Sequence, residues 1–157
     1  MNCSALLNLM TTRTEANEIT KQLETLTESL YEVKSSVEKN MDKILTQEVK
    51  EALKQVCREN EVDFKNVLAF QKFLENLKLT VAALPAARLT FAFEPKASTI
   101  KKIGLWMENN LKEKILVETE VNPAIVGGLL IEFNGNYKDY SLREKLSSYF
   151  KGNNFKF

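Results

Sequence analysis

The residues of this chain that could carry chemistry are few, and their spacing excludes more reactions than it suggests. There is no histidine among the 157 residues, which removes the commonest general base, the commonest metal ligand and every Ser-His or Cys-His arrangement. The only cysteines, Cys3 and Cys57, lie far apart without a CxxC partner, so neither a disulfide framework nor a zinc site is expected. Glu118 and Glu120 alternate along an expected strand and share one face. Paired carboxylates can do acid-base work, but alternating glutamates on an outer strand are more often solvated surface. Gly127-Gly128 is the remaining candidate, as a phosphate cradle. A phosphate loop runs its glycines into a helix N-terminus, usually with Lys and Ser or Thr, whereas Gly128 runs into the apolar stretch Leu129 to Ile131. No catalytic residue, cofactor or metal is therefore assigned.

Composition points the same way. Apolar residues at 44% and charged residues at 27% are the balance of a globular protein. With 22 basic and 21 acidic side chains the net charge is +1, too weak a field to hold a nucleic-acid backbone. No apolar run approaches the roughly 20 residues of a membrane span, and Ala5 to Met10 is too short for a secretory signal. Membrane association is expected only through partners, and the cysteine usage fits a reducing cytosol.

The expected fold class is α+β: an N-terminal antiparallel helical bundle over residues 1–85, a small mixed α/β part over 86–150, and a frayed tail over 151–157. From Ile19 the apolar positions Ile19, Leu23, Leu26, Leu30, Val33 and Val37 alternate spacings of four and three, and Ile44 resumes the pattern, which predicts one heptad-like helix. The flanking positions lack complementary charge, so a bundle helix is favoured over a free coiled coil. Thr46 breaks the chain before a second helix with Val49, Leu53, Val56 and Cys57 on one face. Asn60 and Glu61 read as a turn. Asp63 is expected to cap a third helix with Phe64, Val67, Phe70, Leu74, Leu77 and Val81 inward, ending before Pro85.

After Pro85 the period changes. Leu89, Phe91 and Phe93 alternate as a strand. Ser98 is expected to cap a helix with a stripe of Ile100, Ile103, Met107 and Leu111, from which Trp106 is displaced. Ile115, Val117, Thr119 and Val121 form a second strand, and the strand-helix-strand order predicts parallel pairing. A third strand follows over 128–133. Asn134-Gly135 then supplies the two positive-φ positions of a type I′ hairpin, and Tyr137 returns as a fourth strand. Ser141 and Glu144 have capping-box spacing for a last helix with Leu142, Leu146 and Tyr149 on its inner side.

The stretch NPAIVGGLLIEFNGNYKDYSLREKL, residues 122–146, resembles the C-terminal signature of the ATP synthase delta subunit family, called OSCP in mitochondria. The matching positions are Asn122, Pro123, Ile125, Gly127, Gly128, Leu129 to Ile131, Gly135, Asp139, Ser141, Leu142, Lys145 and Leu146, with Asn122 standing where the family usually has an acidic residue. FLENL at Phe73 to Leu77 and the strand LTFAF also resemble family segments. The helical part before Pro85 is shorter than the family's six-helix bundle.

What the resemblance implies is a non-catalytic stator subunit of a proton-translocating F-type ATP synthase. Its N-terminal bundle would bind N-terminal helices of alpha subunits on the catalytic head, and its C-terminal part would meet the b-type peripheral stalk. It would sit at the cytoplasmic face of the inner (plasma) membrane without inserting. Candidate partner-binding residues are Leu23, Leu26, Leu30 and Val33 in a helical groove, unless the bundle's own core consumes them, and Trp106 as an exposed aromatic. The C-terminal helix and hairpin are candidates for the stalk contact. Two alternatives stay open: an E-like stalk subunit of a vacuolar or archaeal rotary ATPase, which requires one continuous helix across Thr46, and a small cytosolic ligand-binding domain.

Overall fold

Local signals set most element boundaries, and where they fail a stronger local competitor is visible. The computed structural model describes residues 2–31 and 36–152. The chain divides into two compact units, Met1–Leu84 and Pro85–Phe157, and its class is α+β, with helices first, then a four-stranded sheet and a last helix.

In the first unit, five helices are seen among the described residues: α1 (Ser4–Leu7), α2 (Arg13–Ser29), α3 (Val37–Ile44), α4 (Gln47–Glu59) and α5 (Val67–Ala82). The start of α2 is a complete capping box. The Thr12 hydroxyl accepts from the Glu15 N–H at 3.2 Å, and the Glu15 carboxylate accepts from the Thr12 N–H at 2.9 Å. Two otherwise orphaned donors are thereby satisfied. Ile19, Leu23 and Leu26 are buried along one face of α2.

The single helix expected from Ile19 to Ile44 is instead two. At the end of α2 the Leu30 N–H is shared between the carbonyls of Leu26 and Thr27, and the Ser29 hydroxyl also donates to the Leu26 carbonyl. This tightening ends the regular ladder. The apolar period nevertheless carries into α3, where Val37 and Met41 are buried. A second corner follows as expected, because Leu45 and Thr46 are both extended. The Thr46 N–H donates to the Gln22 side-chain oxygen at 3.0 Å, and Lys50 pairs with Asp42 across the corner at 2.9 Å. That ammonium holds the Asp42 carboxyl below the usual carboxylate range.

Asp63 does not cap the next helix. Its carboxylate accepts from the Lys65 N–H, two residues on, and closes a turn. Asn66 is the cap, accepting from Ala69 at 3.1 Å. Phe64 therefore lies outside α5, though its ring still packs edge-on against Phe70 at 5.2 Å. Leu6, Met10, Leu23, Leu26, Met41, Leu53, Phe70, Leu74 and Leu77 form the fully buried core, each stabilising the unit by about 1.5–3 kcal/mol through removal from water. Cys57 is buried among them, and burial pushes its thiol up to about 12. Asn60 ties the chain start to the end of α4: it accepts from the Asn2 N–H at 2.9 Å and donates to the Asn2 carbonyl at 2.6 Å.

The second unit is a sheet of order β2-β1-β3-β4 built from β1 (Ala86–Phe91), β2 (Leu116–Val121), β3 (Leu129–Phe133) and β4 (Asn136–Asp139). β1 and β2 are parallel neighbours joined through α6 (Ala97–Leu111), and β3 lies antiparallel on the other side of β1. Ala87, Leu89, Phe91, Ile115 and Val117 meet Ile100, Ile103 and Met107 of α6. Three expectations change here. Phe93 falls outside β1 and is exposed, Leu111 is half out of the interface, and Ser98 lies inside α6, which begins at Ala97 without a side-chain cap. Asn134 at φ 49° and Gly135 at φ 73° join β3 to β4 in the expected tight hairpin. The last helix, α7 (Leu142–Gly152), runs past the expected tail boundary at 151, and residues 153–157 lie outside the described part.

Candidate functional site

The segment from Asn122 to Leu146 is built as a set of mutual constraints. As the chain leaves β2, the Asn122 N–H donates to the Phe91 carbonyl at 2.7 Å. The Asn122 side chain accepts from the Ala124 N–H at 3.0 Å and caps one 3-10 turn, Pro123–Ile125, with proline at the start where no N–H is needed. Ile125, the last residue of that turn, is buried. Val126 follows at φ 68°, ψ −37°, a left-handed conformation that is costly for a β-branched residue. Its side chain is 61% exposed.

The two glycines do different jobs. A Cβ on Gly127 would lie 2.7 Å from the Leu142 side chain, and the Gly127 carbonyl accepts from the Leu142 N–H at 2.8 Å, so this residue seats the start of α7. Gly128, at φ 81°, would drive a Cβ into the Tyr140 carbonyl oxygen. Backbone stands on both sides of that contact, and only glycine fits. The Tyr140 N–H in turn donates to the Leu129 carbonyl at 2.9 Å.

At α7 the expected capping box is half made. The buried Ser141 hydroxyl accepts from the Glu144 N–H at 3.3 Å, but the Ser141 N–H donates to the Asp139 carboxylate at 2.7 Å rather than to Glu144. Asp139 wins because a carboxylate two residues upstream closes a turn without immobilising a longer side chain. The Ser141 hydroxyl first, then the Ser141 N–H and the Arg143 charge, hold the Asp139 carboxyl below the usual range.

Leu142, Leu146 and Tyr149 do not form an inner side. They are 46%, 44% and 60% exposed, and every described residue of α7 from Leu142 to Phe150 is exposed. The physical reason is where α7 is held: its first turn sits on Gly127, and the element it packs against is the short turn Pro123–Ile125. Lys145 lies on the flank of the same stripe.

The structure does not gather the other candidates around one site. Leu23 and Leu26 are fully buried in the core of the helical unit, so their surfaces serve that unit's packing. Leu30 is half-buried and lines an open cleft of about 410 Å³ with Val37, Phe64 and Val67. Val33 lies outside the described residues. Trp106 is 62% exposed on α6. Glu118 belongs to a charge ladder, with Arg88 standing 3.8 Å from Glu118 and 3.7 Å from Glu132 across three strands. Among the described residues no cluster of three His, Cys, Asp or Glu side chains is placed to hold a metal, and no helix is long and apolar enough to cross a membrane. Sequence reasoning missed Val126 and Tyr140, since neither residue type advertises a strained backbone or a carbonyl packed on a glycine.

A 69-residue stretch is 35% identical to the ATP synthase subunit delta of Mycoplasma pneumoniae (strain ATCC 29342 / M129 / Subtype 1), and it spans 42% of this chain and 39% of that protein. The sequence model of the ATP synthase delta (OSCP) subunit family matches residues 3–151. The chain belongs to the ATP synthase delta (OSCP) subunit family.

Proposed function

We propose that this chain is a non-catalytic stator subunit of a proton-translocating F-type ATP synthase, joining the alpha subunits of the catalytic head to the b-type peripheral stalk. The observation that carries this reading is the family match across both units, residues 3–151. A stator must resist torque while the rotor turns, which calls for slow dissociation and several stiff contact sites rather than titratable groups. Two compact units, each with exposed apolar surface, suit that task. The first unit offers the cleft at Leu30, Val37, Phe64 and Val67 to an amphipathic alpha-subunit helix. The second offers α7 and the hairpin to the stalk. The chain then works peripherally, at the cytoplasmic face of the inner (plasma) membrane, held there by the complex.

An E-like stalk subunit requires one helix through Thr46, and the extended backbone at Leu45 and Thr46 argues against it. The ligand-binding alternative draws no support from Glu118, which the Arg88 ladder occupies. Co-purification with an alpha-subunit N-terminal peptide and, separately, with the C-terminal part of a b-type stalk subunit tests the proposal. Capture of both is expected, and capture of neither by the folded chain overturns it.

A further inference from the structure

Of the 5 glycines in the chain, only Gly135 follows an asparagine. That pair closes the β3–β4 hairpin, with Asn134 at φ 49° and Gly135 at φ 73°, and Phe133 pairs with Asn136 across the loop. Both loop residues are exposed, and a Cβ placed on Gly135 would meet nothing within 4 Å. An asparagine carboxamide carbon is an electrophile, and the backbone nitrogen of the next residue can attack it to close a cyclic imide. A side chain on that next residue shields the nitrogen, and glycine has none. Every other asparagine here is followed by a residue with a side chain.

The closed turn works against this reaction. At a left-handed residue ψ is about +30 to +60°, which sets Cβ nearly trans to the following nitrogen about the Cα–C bond. Ring closure needs those atoms nearly eclipsed, so ψ must rotate and the turn must open. β4 is a short strand of 4 residues at one edge of the sheet, paired to β3, and Asn136, Tyr137 and Lys138 are exposed. Short elements with few buried apolar contacts are the ones that open locally.

We infer that Asn134 is a site of spontaneous modification, converted through a cyclic imide to aspartate and isoaspartate at a rate set by opening of the β3–β4 hairpin. The Gly135 nitrogen gives its proton to solvent base and bonds to the Asn134 Cγ. The Cγ–Nδ2 bond breaks, and the side-chain nitrogen takes a proton from solvent and leaves as ammonia. Water then opens the ring. Addition at Cγ restores the main chain with an aspartate, and addition at the main-chain carbonyl carbon leaves the chain running through Cγ as isoaspartate. Nothing is oxidised or reduced. Aspartate also tolerates positive φ, so the turn survives that outcome. Isoaspartate adds a methylene to the main chain, and the lengthened loop no longer matches the strand twist that a tight type I′ turn serves. Pairing of Glu132 with Tyr137 is then weakened, so one opening event leaves a lasting mark. Either product takes the net charge from +1 to zero. The site does not depend on the stator reading.

The test incubates the full chain in mildly alkaline buffer, native and in urea, and follows it by isoelectric focusing and peptide mass spectrometry. Isoaspartate is scored by methyl transfer from S-adenosylmethionine with an isoaspartyl carboxyl methyltransferase. In the native chain, conversion is expected to be confined to the peptide that holds Asn134 and to run slower than in urea by about tenfold or more, the protection a closed hairpin gives. The rate is expected to rise about tenfold per pH unit, because the deprotonated amide is the nucleophile. Asn134→Gly keeps a residue suited to the left-handed turn but removes the carboxamide, and its charge is expected to stay constant. Asn134→Asp is expected to keep the Tm and the Tyr137 amide exchange of the unmodified chain, whereas the isoaspartyl fraction exchanges faster along β4. Circular dichroism confirms that each variant is folded. A charge shift in Asn134→Gly at the wild-type rate overturns the site, as does conversion of other asparagines in the native chain at the same rate. Equal rates in buffer and urea overturn the gating by the hairpin. Conversion in urea with none in the native chain shows a turn that never opens and overturns the inference for the folded protein.

Discussion

Helices α2 and α7 begin alike and end in opposite environments. Each has a hydroxyl residue at its cap, Thr12 or Ser141, that accepts from a glutamate N–H three residues on. Each carries an apolar stripe at helical spacing. In α2 the stripe is buried against the other helices of its unit, with Leu23 and Leu26 fully covered, whereas in α7 it faces out. The difference teaches that a cap and a period specify a helix and its apolar side but say nothing about what covers that side. In the first unit the cover is intramolecular, and that unit stabilises itself. In α7 the stripe stays exposed, and the Gly127-Gly128 seat holds the start of the helix instead.

The largest expected effect lies at that seat. Gly128→Ala forces a Cβ onto the Tyr140 carbonyl at a positive φ, so a loss of about 3 kcal/mol or more is expected in chemical denaturation. Gly135→Ala is the control, with open space around the added atom, and only the left-handed backbone contributes, about 1 kcal/mol. Equal effects at the two positions would remove Gly128 from its role as a close-approach residue.

Next in size is the stripe comparison itself. Leu26→Ala is expected to destabilise the helical unit by about 2–5 kcal/mol, because it leaves a cavity in a filled core. Leu146→Ala on the exposed stripe is expected to shift stability by no more than about 0.5 kcal/mol. A large loss at Leu146 in the isolated chain would show that α7 is packed intramolecularly.

The smallest effects concern the caps. Thr12→Ala and Ser141→Ala are each expected to cost about 1 kcal/mol, and the second cap stands beside a depressed carboxyl. Asp139 binds its proton less readily in the folded chain than in the unfolded one. Its contribution is therefore whole above the ordinary carboxylate range and is lost as pH falls through the depressed folded value. Asp139→Asn is expected to flatten that acid limb while leaving the response of Thr12→Ala unchanged, measured by thermal melts across pH.

The amino-acid sequence by itself determined the elements governed by short-range chemistry. The α+β order, the Asn134-Gly135 hairpin, the corner at Thr46 and the Ser141 cap all follow from residues within a few positions of one another. So did the resemblance of residues 122–146 to the delta family, which the match over 3–151 bears out. Misplaced boundaries had the same local origin. Asp63 and Asn66 compete three residues apart for one helix start, and the heptad from Ile19 keeps its period across a break that ends α2. Only the tertiary structure decided that Leu23 and Leu26 are core while Leu142, Leu146 and Tyr149 are surface, since burial depends on which elements arrive from elsewhere in the chain. Only it placed the Tyr140 carbonyl against Gly128 and put Val126 in a left-handed backbone. The physical reason is that periodicity records which side of a helix repels water, and coverage of that side is a property of its neighbours.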